Sequence, residues 1–119
     1  MPSVAIVGAS NGPHKYGNKA VRAYLRQGWT VYPVNPTEKT IEGLAAYASI
    51  GDLPHGLDRV SLYVPPAIGL TLLPAIKDNA AKELYLNPGA ESDELIARAE
   101  ALGLDPIVAC SIVEIGERP

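Results

Sequence analysis

The sequence has 119 residues, a formal net charge of −3, and a composition that is 47% hydrophobic and 19% charged. A chain of this length and composition can bury a core of its own, which excludes general disorder and predicts one domain over residues 1–119. The single cysteine, Cys110, excludes a disulfide framework, and two histidines leave little for a metal cluster. The acidic balance argues against a nucleic-acid partner.

Two stretches bear on the location of the protein. The first residues lack the basic segment and apolar run of a secretory signal. The uncharged stretch from Val60 to Ile76 contains three prolines and is too short for a membrane span. We therefore expect a soluble, cytoplasmic protein without a membrane partner.

Short apolar runs alternate with amphipathic segments along the chain. The run Ser3–Gly8 is continuously apolar and ends in glycine, which is typical of a strand buried on both faces. Val21, Tyr24 and Leu25 then fall on one face of a predicted helix, and Thr30–Val34 follows as a second strand. Strand, glycine turn, helix and strand together indicate a βαβ unit.

The middle of the chain repeats this alternation. The pattern predicts a short helix over Ile41–Ala48, a loop over Ser49–Gly56 and a third strand over Arg59–Val64. Pro66 is suited to the first position of a helix, and Pro74 either kinks that helix or begins another.

The last third supplies two further strands. Glu83–Leu86 and Asp105–Ala109 are the predicted strands, and between them Ser92 is placed to cap a helix that Gly103 closes. Five strands alternating with helices predict an α/β protein with a parallel, doubly wound sheet of Rossmann type.

The loop from Gly8 to Gly17 is the leading candidate for a ligand site. In an open parallel sheet the ligand binds beyond the carboxyl ends of the strands, and a helix amino terminus attracts phosphate. No acid precedes Glu38, so the segment before it carries +4 and the remainder −7. Because this basic excess coincides with the loop, we predict a phosphate site in which Ser10, His14 and Lys15 are donors. An ordinary glycine-rich turn is the alternative.

The class of phosphate ligand is narrowed by what this loop lacks. A dinucleotide fingerprint requires a second glycine where Ser10 stands and an acid at the end of the second strand, where Asn35 stands. The pattern of a phosphate-binding loop for nucleoside triphosphates is also missing. An NAD(P)-binding redox or sensor domain is therefore disfavoured but stays an alternative.

Several motifs distributed over the chain point to one family. They are Val4–Ser10, Tyr16-Gly17, Gly28–Pro36, Tyr63–Pro66, Asn87–Glu91 and Ala109-Cys110. In these motifs the chain resembles the single-domain CoA-binding proteins. These are relatives of the amino-terminal CoA-binding domain of succinyl-CoA synthetase alpha subunits and of acyl-CoA ligases.

The resemblance implies that the chain binds coenzyme A as its cofactor or ligand. It implies phosphates held by the first loop, ribose beside the end of the second strand, and adenosine or pantetheine against the turn after the third strand. The 3′-phosphate would meet Lys15 or Lys39. The residues at the end of the fourth strand are further candidates for ligand contact. The implied residues are Gly8, Ala9, Ser10, Lys15, Tyr16, Gly17, Asn35, Pro36, Lys39, Val64, Pro65, Pro66, Asn87, Pro88 and Gly89.

No arrangement for catalysis is readable. The chain shows no Ser-His-Asp or Cys-His pattern, and the related ligases use further domains and a phosphorylated histidine. Cys110 is expected to be a buried small residue, and Tyr63 suits either core packing or ligand contact. We expect a non-catalytic module that holds CoA or an acyl-CoA, with a second copy of itself or a ligase chain as candidate protein partners.

Overall fold

The computed structural model describes residues 1–119 and contains a five-stranded parallel sheet beside a small hairpin. The sheet has the strand order β2-β1-β5-β6-β7, and every neighbouring pair is parallel. This confirms the predicted Rossmann-type α/β sheet. The strands are β1 (Ser3–Val7), β2 (Thr30–Val34), the hairpin strands β3 (Thr40–Ile41) and β4 (Leu44–Ala45), β5 (Arg59–Leu62), β6 (Glu83–Leu86) and β7 (Pro106–Val108).

Helices cover both faces of the sheet. Contacts pair the first helix with the fourth and the second with the third. None of these helices is long and apolar enough to span a membrane. They are α1 (Tyr16–Arg26), α2 (Pro66–Asn79), α3 (Asp93–Ala101) and α4 (Ser111–Glu114).

Alternation along β1 divides the apolar interior into two cores. Val4 and Ile6 pack into the core that contains residues of α1 and α4. Ala5 and Val7 pack into the core that contains residues of α2 and α3. All four side chains are buried, because successive residues of a strand point to opposite faces of a covered sheet.

Helix α1 buries a slightly different stripe from the one predicted. Val21 and Tyr24 are fully buried as expected, but Leu25 is 36% exposed. The buried stripe begins earlier, at Gly17 and Ala20. These small residues let α1 approach the sheet closely, and they contribute little to a hydrophobicity pattern.

The predicted helix over Ile41–Ala48 is wrong. The segment forms the hairpin of β3 and β4, whose turn residues Glu42 and Gly43 have φ of 50° and 77°. Two successive positive φ angles are typical of a tight hairpin turn. The amide of Tyr47 then donates to the Pro33 carbonyl at 2.9 Å, so the segment after the hairpin covers the free edge of β2.

Several predicted boundaries are confirmed on the other face. Pro66 is the first residue of α2, and Pro74 lies inside this one helix, so no second helix begins there. The Ser92 side chain accepts a hydrogen bond from the Leu95 amide at 3.1 Å and caps α3. The loop over Ser49–Gly56 contains a short 3₁₀ turn, and α4 is an element that the sequence pattern missed.

Candidate functional site

A cleft of about 570 Å³ opens at the carboxyl edge of the sheet. It lies where the loops after β1 and β5 meet, which is where the strand order reverses. Open α/β sheets bind their ligands at this position. The residues that line the cleft are Gly8, Ala9, Ser10, Lys15, Tyr16, Gly17, Asn35, Tyr63, Val64, Pro65, Pro88, Gly89 and Ala90.

Eleven of these lining residues are among those that the sequence predicts for the site, and four predicted residues are elsewhere. Pro36 and Lys39 lie in the exposed segment between β2 and the hairpin, and Pro66 is the first residue of α2. Asn87 is buried beneath the cleft, where its side-chain amide donates to the Leu62 carbonyl at 2.8 Å. Asn87 therefore supports the floor without lining it.

Tyr63 and Ala90 line the cleft although the sequence analysis does not assign them to the site. The Tyr63 hydroxyl lies 3.0 Å from the Ser111 hydroxyl, and burial raises the pKa of Tyr63 to about 12. Tyr63 is therefore a neutral residue that both packs and faces the cleft. The sequence analysis left Tyr63 open between core packing and ligand contact, although it belongs to the family motif Tyr63–Pro66.

Main chain forms the floor of the cleft. Gly8 has φ of 92°, and a Cβ at this position would stand 2.6 Å from the Tyr63 carbonyl oxygen. A Cβ at Gly17 would overlap the Gly8 carbonyl. The two glycines therefore bring the loop, the end of β5 and the start of α1 into backbone contact.

Unpaired amides stand at the amino terminus of α1. The N–H groups of Ala9, Ser10, Tyr16 and Gly17 donate to no acceptor within the chain. Lys15 stands at the N-cap position of this helix without a side-chain capping bond, and it is exposed without an acidic partner. Free amides, the helix dipole and an unpaired ammonium group together favour an anion.

The buried side chain of Asn18 fixes the shape of the loop. Its Nδ2 donates to the Ser10 carbonyl at 2.8 Å, and its Oδ1 accepts from Arg22 Nε at 2.8 Å. Arg22 also donates to the Pro13 carbonyl at 2.9 Å. The conformation of the loop is thus held by side chains of α1, a role that no sequence motif indicates.

Asn35 ties the end of β2 to the same loop. Its Nδ2 donates to the Ala9 carbonyl at 2.9 Å. Its Oδ1 accepts from the Thr37 and Glu38 amides at 2.8 and 3.0 Å, which is an Asx turn. Asn35 stands where a dinucleotide site has its ribose-binding acid, and its oxygen is already engaged.

The basic charge of the first third is divided between two places. Lys15 lines the cleft, whereas Lys19, Arg22 and Arg26 line a separate hollow of about 220 Å³ together with Arg118. The predicted coincidence of basic charge and the glycine loop therefore rests on Lys15.

The sheet order and this main-chain-lined cleft define a Rossmann-like α/β protein with an anion-attracting site. Within that class, residues 2–116 match the family described as a CoA binding domain. The chain belongs to this family, which confirms the resemblance seen in its sequence.

Curated relatives are much longer than this chain. The alpha subunit of an ADP-forming acetate–CoA ligase II of Pyrococcus furiosus is 40% identical over 63 residues, covering 52% of this chain and 14% of that subunit. A trans-feruloyl-CoA synthase from an unknown prokaryotic organism is 32% identical over 65 residues, covering 53% of this chain and 9% of the synthase.

Solved structures share the fold over most of the chain. A conserved hypothetical protein of Pyrococcus furiosus has a TM-score of 0.86 and 36% identity, covering 96% of this chain and 99% of that protein. A dinucleotide-forming acetyl-coenzyme A synthetase 1 of Candidatus Korarchaeum cryptofilum, in complex with phosphate and ADP, has a TM-score of 0.77 and 29% identity. That match covers 90% of this chain and 25% of the synthetase.

Proposed function

We propose that the cleft binds coenzyme A or an acyl-CoA and that the chain holds this ligand without transforming it. The observation that carries the proposal is the group of unpaired amides at the start of α1, next to the unpaired ammonium group of Lys15. Membership of a CoA-binding family supports the choice of ligand. The ligase relatives support it as well.

The lining of the cleft suggests how the ligand lies. Phosphate groups would accept from the Ser10 and Gly17 amides and meet Lys15, the one of the two predicted lysines that lines the cleft. The nucleoside would lie toward Asn35, and the uncharged pantetheine arm would run along Pro65 and toward β6. Prolines suit such an arm because they present apolar surface without an amide donor.

The absence of catalysis is proposed from the chemistry of the lining. No aspartate, glutamate, histidine or cysteine lines the cleft, and the pKa of Tyr63 is raised to about 12 by burial. A general acid or base works best with a pKa near the working pH, and the raised pKa of Tyr63 lies far above it. The expected roles are those of a carrier or sensor. The cytoplasmic location and the single-domain organisation stay predictions.

A non-catalytic part of an acyl-CoA ligase is the second candidate. It is favoured by the match to the alpha subunit of an acetate–CoA ligase over 52% of this chain. Co-purification of the tagged chain with a larger ATP-using protein would support this role. A chain that purifies alone and binds CoA would instead support the carrier or sensor role.

Calorimetry and thermal unfolding with a set of ligands test the proposal. CoA at a hundred times its Kd should stabilise the fold by about 2.7 kcal/mol. Dephospho-CoA should bind more weakly, because it lacks the 3′-phosphate, and NAD and ATP should bind more weakly than CoA. Binding of NAD at least as tight as that of CoA, or no heat with CoA, would contradict the proposal.

A further inference from the structure

A second cavity of about 300 Å³ adjoins the cleft on the side of α4. It shares Tyr16, Tyr63 and Pro88 with the cleft and extends between them to Cys110 and Val113. The cavity and the cleft are therefore direct neighbours.

The cavity wall offers no partner for a charge. No charged side chain lines it. The amide nitrogen of Asn87 is engaged by Ser61 Oγ and the Leu62 carbonyl at 2.8 Å each, and its oxygen accepts from the Ser111 amide at 2.8 Å. The rest of the wall consists of two tyrosine side chains, Pro88, Val113, Pro119 and the Cys110 thiol. An apolar group therefore gains by burial here, and a charged one loses its hydration.

We propose that this cavity takes the acyl group of an acyl-CoA and that it selects uncharged acyl chains. The inference rests on the proposed function, because it requires the nucleotide end of the ligand to occupy the cleft. The two flanks of the phosphate site agree with this direction. Polar Asn35 lies on the β2 side, whereas Tyr63 and Pro88 line both the cleft and the cavity.

The α4 side of the cavity is held in place by Ser111, the residue that follows the lining residue Cys110. Ser111 begins α4 and is fully buried. Its hydroxyl lies 2.7 Å from Ser61 Oγ and 3.0 Å from the Tyr63 hydroxyl, and these bonds hold α4 to β5. A buried polar group so completely bonded does not shift readily, so the cavity wall at Cys110 keeps its position.

Calorimetric titration with CoA, acetyl-CoA, butyryl-CoA and succinyl-CoA tests the inference. Burial of a methylene strengthens binding about fourfold, so butyryl-CoA should bind about fifteenfold more tightly than acetyl-CoA. Succinyl-CoA should bind more weakly than butyryl-CoA because its carboxylate has no partner. Equal affinities for all four ligands would overturn the inference and leave CoA binding intact, whereas no binding of any ligand would overturn both proposals.

A substitution in the cavity wall tests the same point on the protein side. Val113→Trp should lower the ratio of butyryl-CoA affinity to CoA affinity about tenfold, because the indole occupies the acyl space. The matched control is Ile68→Trp on α2, where the native side chain is 48% exposed and lines neither cavity. An unchanged ratio in Val113→Trp would overturn the inference.

Amide chemical shifts locate the acyl group without a variant. The difference between the spectra of the CoA and butyryl-CoA complexes should be largest at Cys110 and Val113. Differences centred at Asn35, on the opposite side of the cleft, would place the acyl chain elsewhere and overturn the inference.

Discussion

A positive side chain is buried and paired at the edge formed by the amino ends of the strands. At the edge formed by their carboxyl ends, a positive side chain is exposed and unpaired. At the amino edge Arg59, the first residue of β5, has a side chain that is 6% exposed. It donates to Glu114 at 2.6 Å, to Glu83 at 2.8 Å and to the Tyr24 hydroxyl at 3.1 Å. At the carboxyl edge Lys15 is exposed and has no acidic partner.

Aromatic rings complete the surroundings of Arg59. Its guanidinium carbon lies 4.9 Å from the centroid of Trp29 and 4.4 Å from that of Tyr85. Burial by itself lowers the pKa of Arg59, but the hydrogen bonds to Tyr24, Glu114 and Glu83 outweigh it and raise the pKa. The cation is therefore permanently charged and part of the folded framework.

This difference in pairing between Arg59 and Lys15 distinguishes groups that stabilise the fold from groups that remain free for a ligand. Every donor of the amino edge described here is bonded within the chain, so substitutions there should reduce stability. Amides and one ammonium group remain unpaired at the carboxyl edge, so substitutions there should reduce affinity more than stability.

Arg59→Leu should have the largest effect. It leaves Glu83 and Glu114 without their cation and the Tyr24 hydroxyl with one partner fewer. Because both carboxylates are about 40% exposed and can rehydrate, we expect a loss of about 3 kcal/mol, at the lower end for a broken buried pair. Urea unfolding measures it. The control, Arg98→Ala in an exposed pair, should cost less than about 0.5 kcal/mol, and equal losses would contradict the comparison.

Gly17→Ala should come next, and it should reduce both stability and CoA affinity. The added Cβ would overlap the Gly8 carbonyl, so α1 has to move away from the cleft. We expect a stability loss of about 2 kcal/mol together with weaker CoA binding. Gly12→Ala in the same loop is the control, because its Cβ would meet Lys15 and Ser10 atoms only at 3.4 Å. Unchanged stability in Gly17→Ala would refute the close backbone contact.

Lys15→Ala sharpens the comparison at the cleft itself. Loss of a partly solvated charge contact should weaken CoA binding by about 1 kcal/mol, or about fivefold, with little change in stability. Calorimetry with CoA is the measurement. Lys39→Ala serves as the control, since Lys39 does not line the cleft, and should change the affinity less than about twofold. A larger effect at Lys39 than at Lys15 would reverse the assignment.

The smallest effect concerns acid stability at the amino edge. A hydrogen bond from the Ser3 amide, followed by one from Lys82, lowers the pKa of Asp58 below its usual value. A lowered folded-state pKa contributes stability above the unfolded pKa and loses it as the pH falls through the folded one. Unfolding free energy should therefore fall between about pH 5 and pH 3 more steeply in the native chain than in Asp58→Asn. Asp105→Asn, an exposed control, should keep the native slope.

The sequence predicted the sheet well because its signals are local. Apolar runs such as Ser3–Val7 stop at glycine or proline, and helices such as α3 begin at a capping side chain. The segment 41–48 failed because Ile41 and Leu44 have helical spacing, whereas pairing with β2 and a left-handed turn decide its structure.

The candidate site was predictable in its backbone but not in its side chains. The glycine loop and the strand ends were visible as motifs, and they surround the cleft. Asn18 and Tyr63 were not assigned, because their partners Ser10 and Ser111 stand 8 and 48 residues away along the chain. Periodicity carries no information about such contacts.

By itself the sequence determined the five strands of the sheet, the three longer helices and the helix amino terminus that follows the first strand. Only the tertiary structure decided that Lys15 lines the cleft while Lys39 does not, and that Lys19 and Arg26 line a different hollow. The physical reason is that crossover connections and strand register bring distant residues together. Local propensity and spacing specify each element, but they do not specify which elements meet.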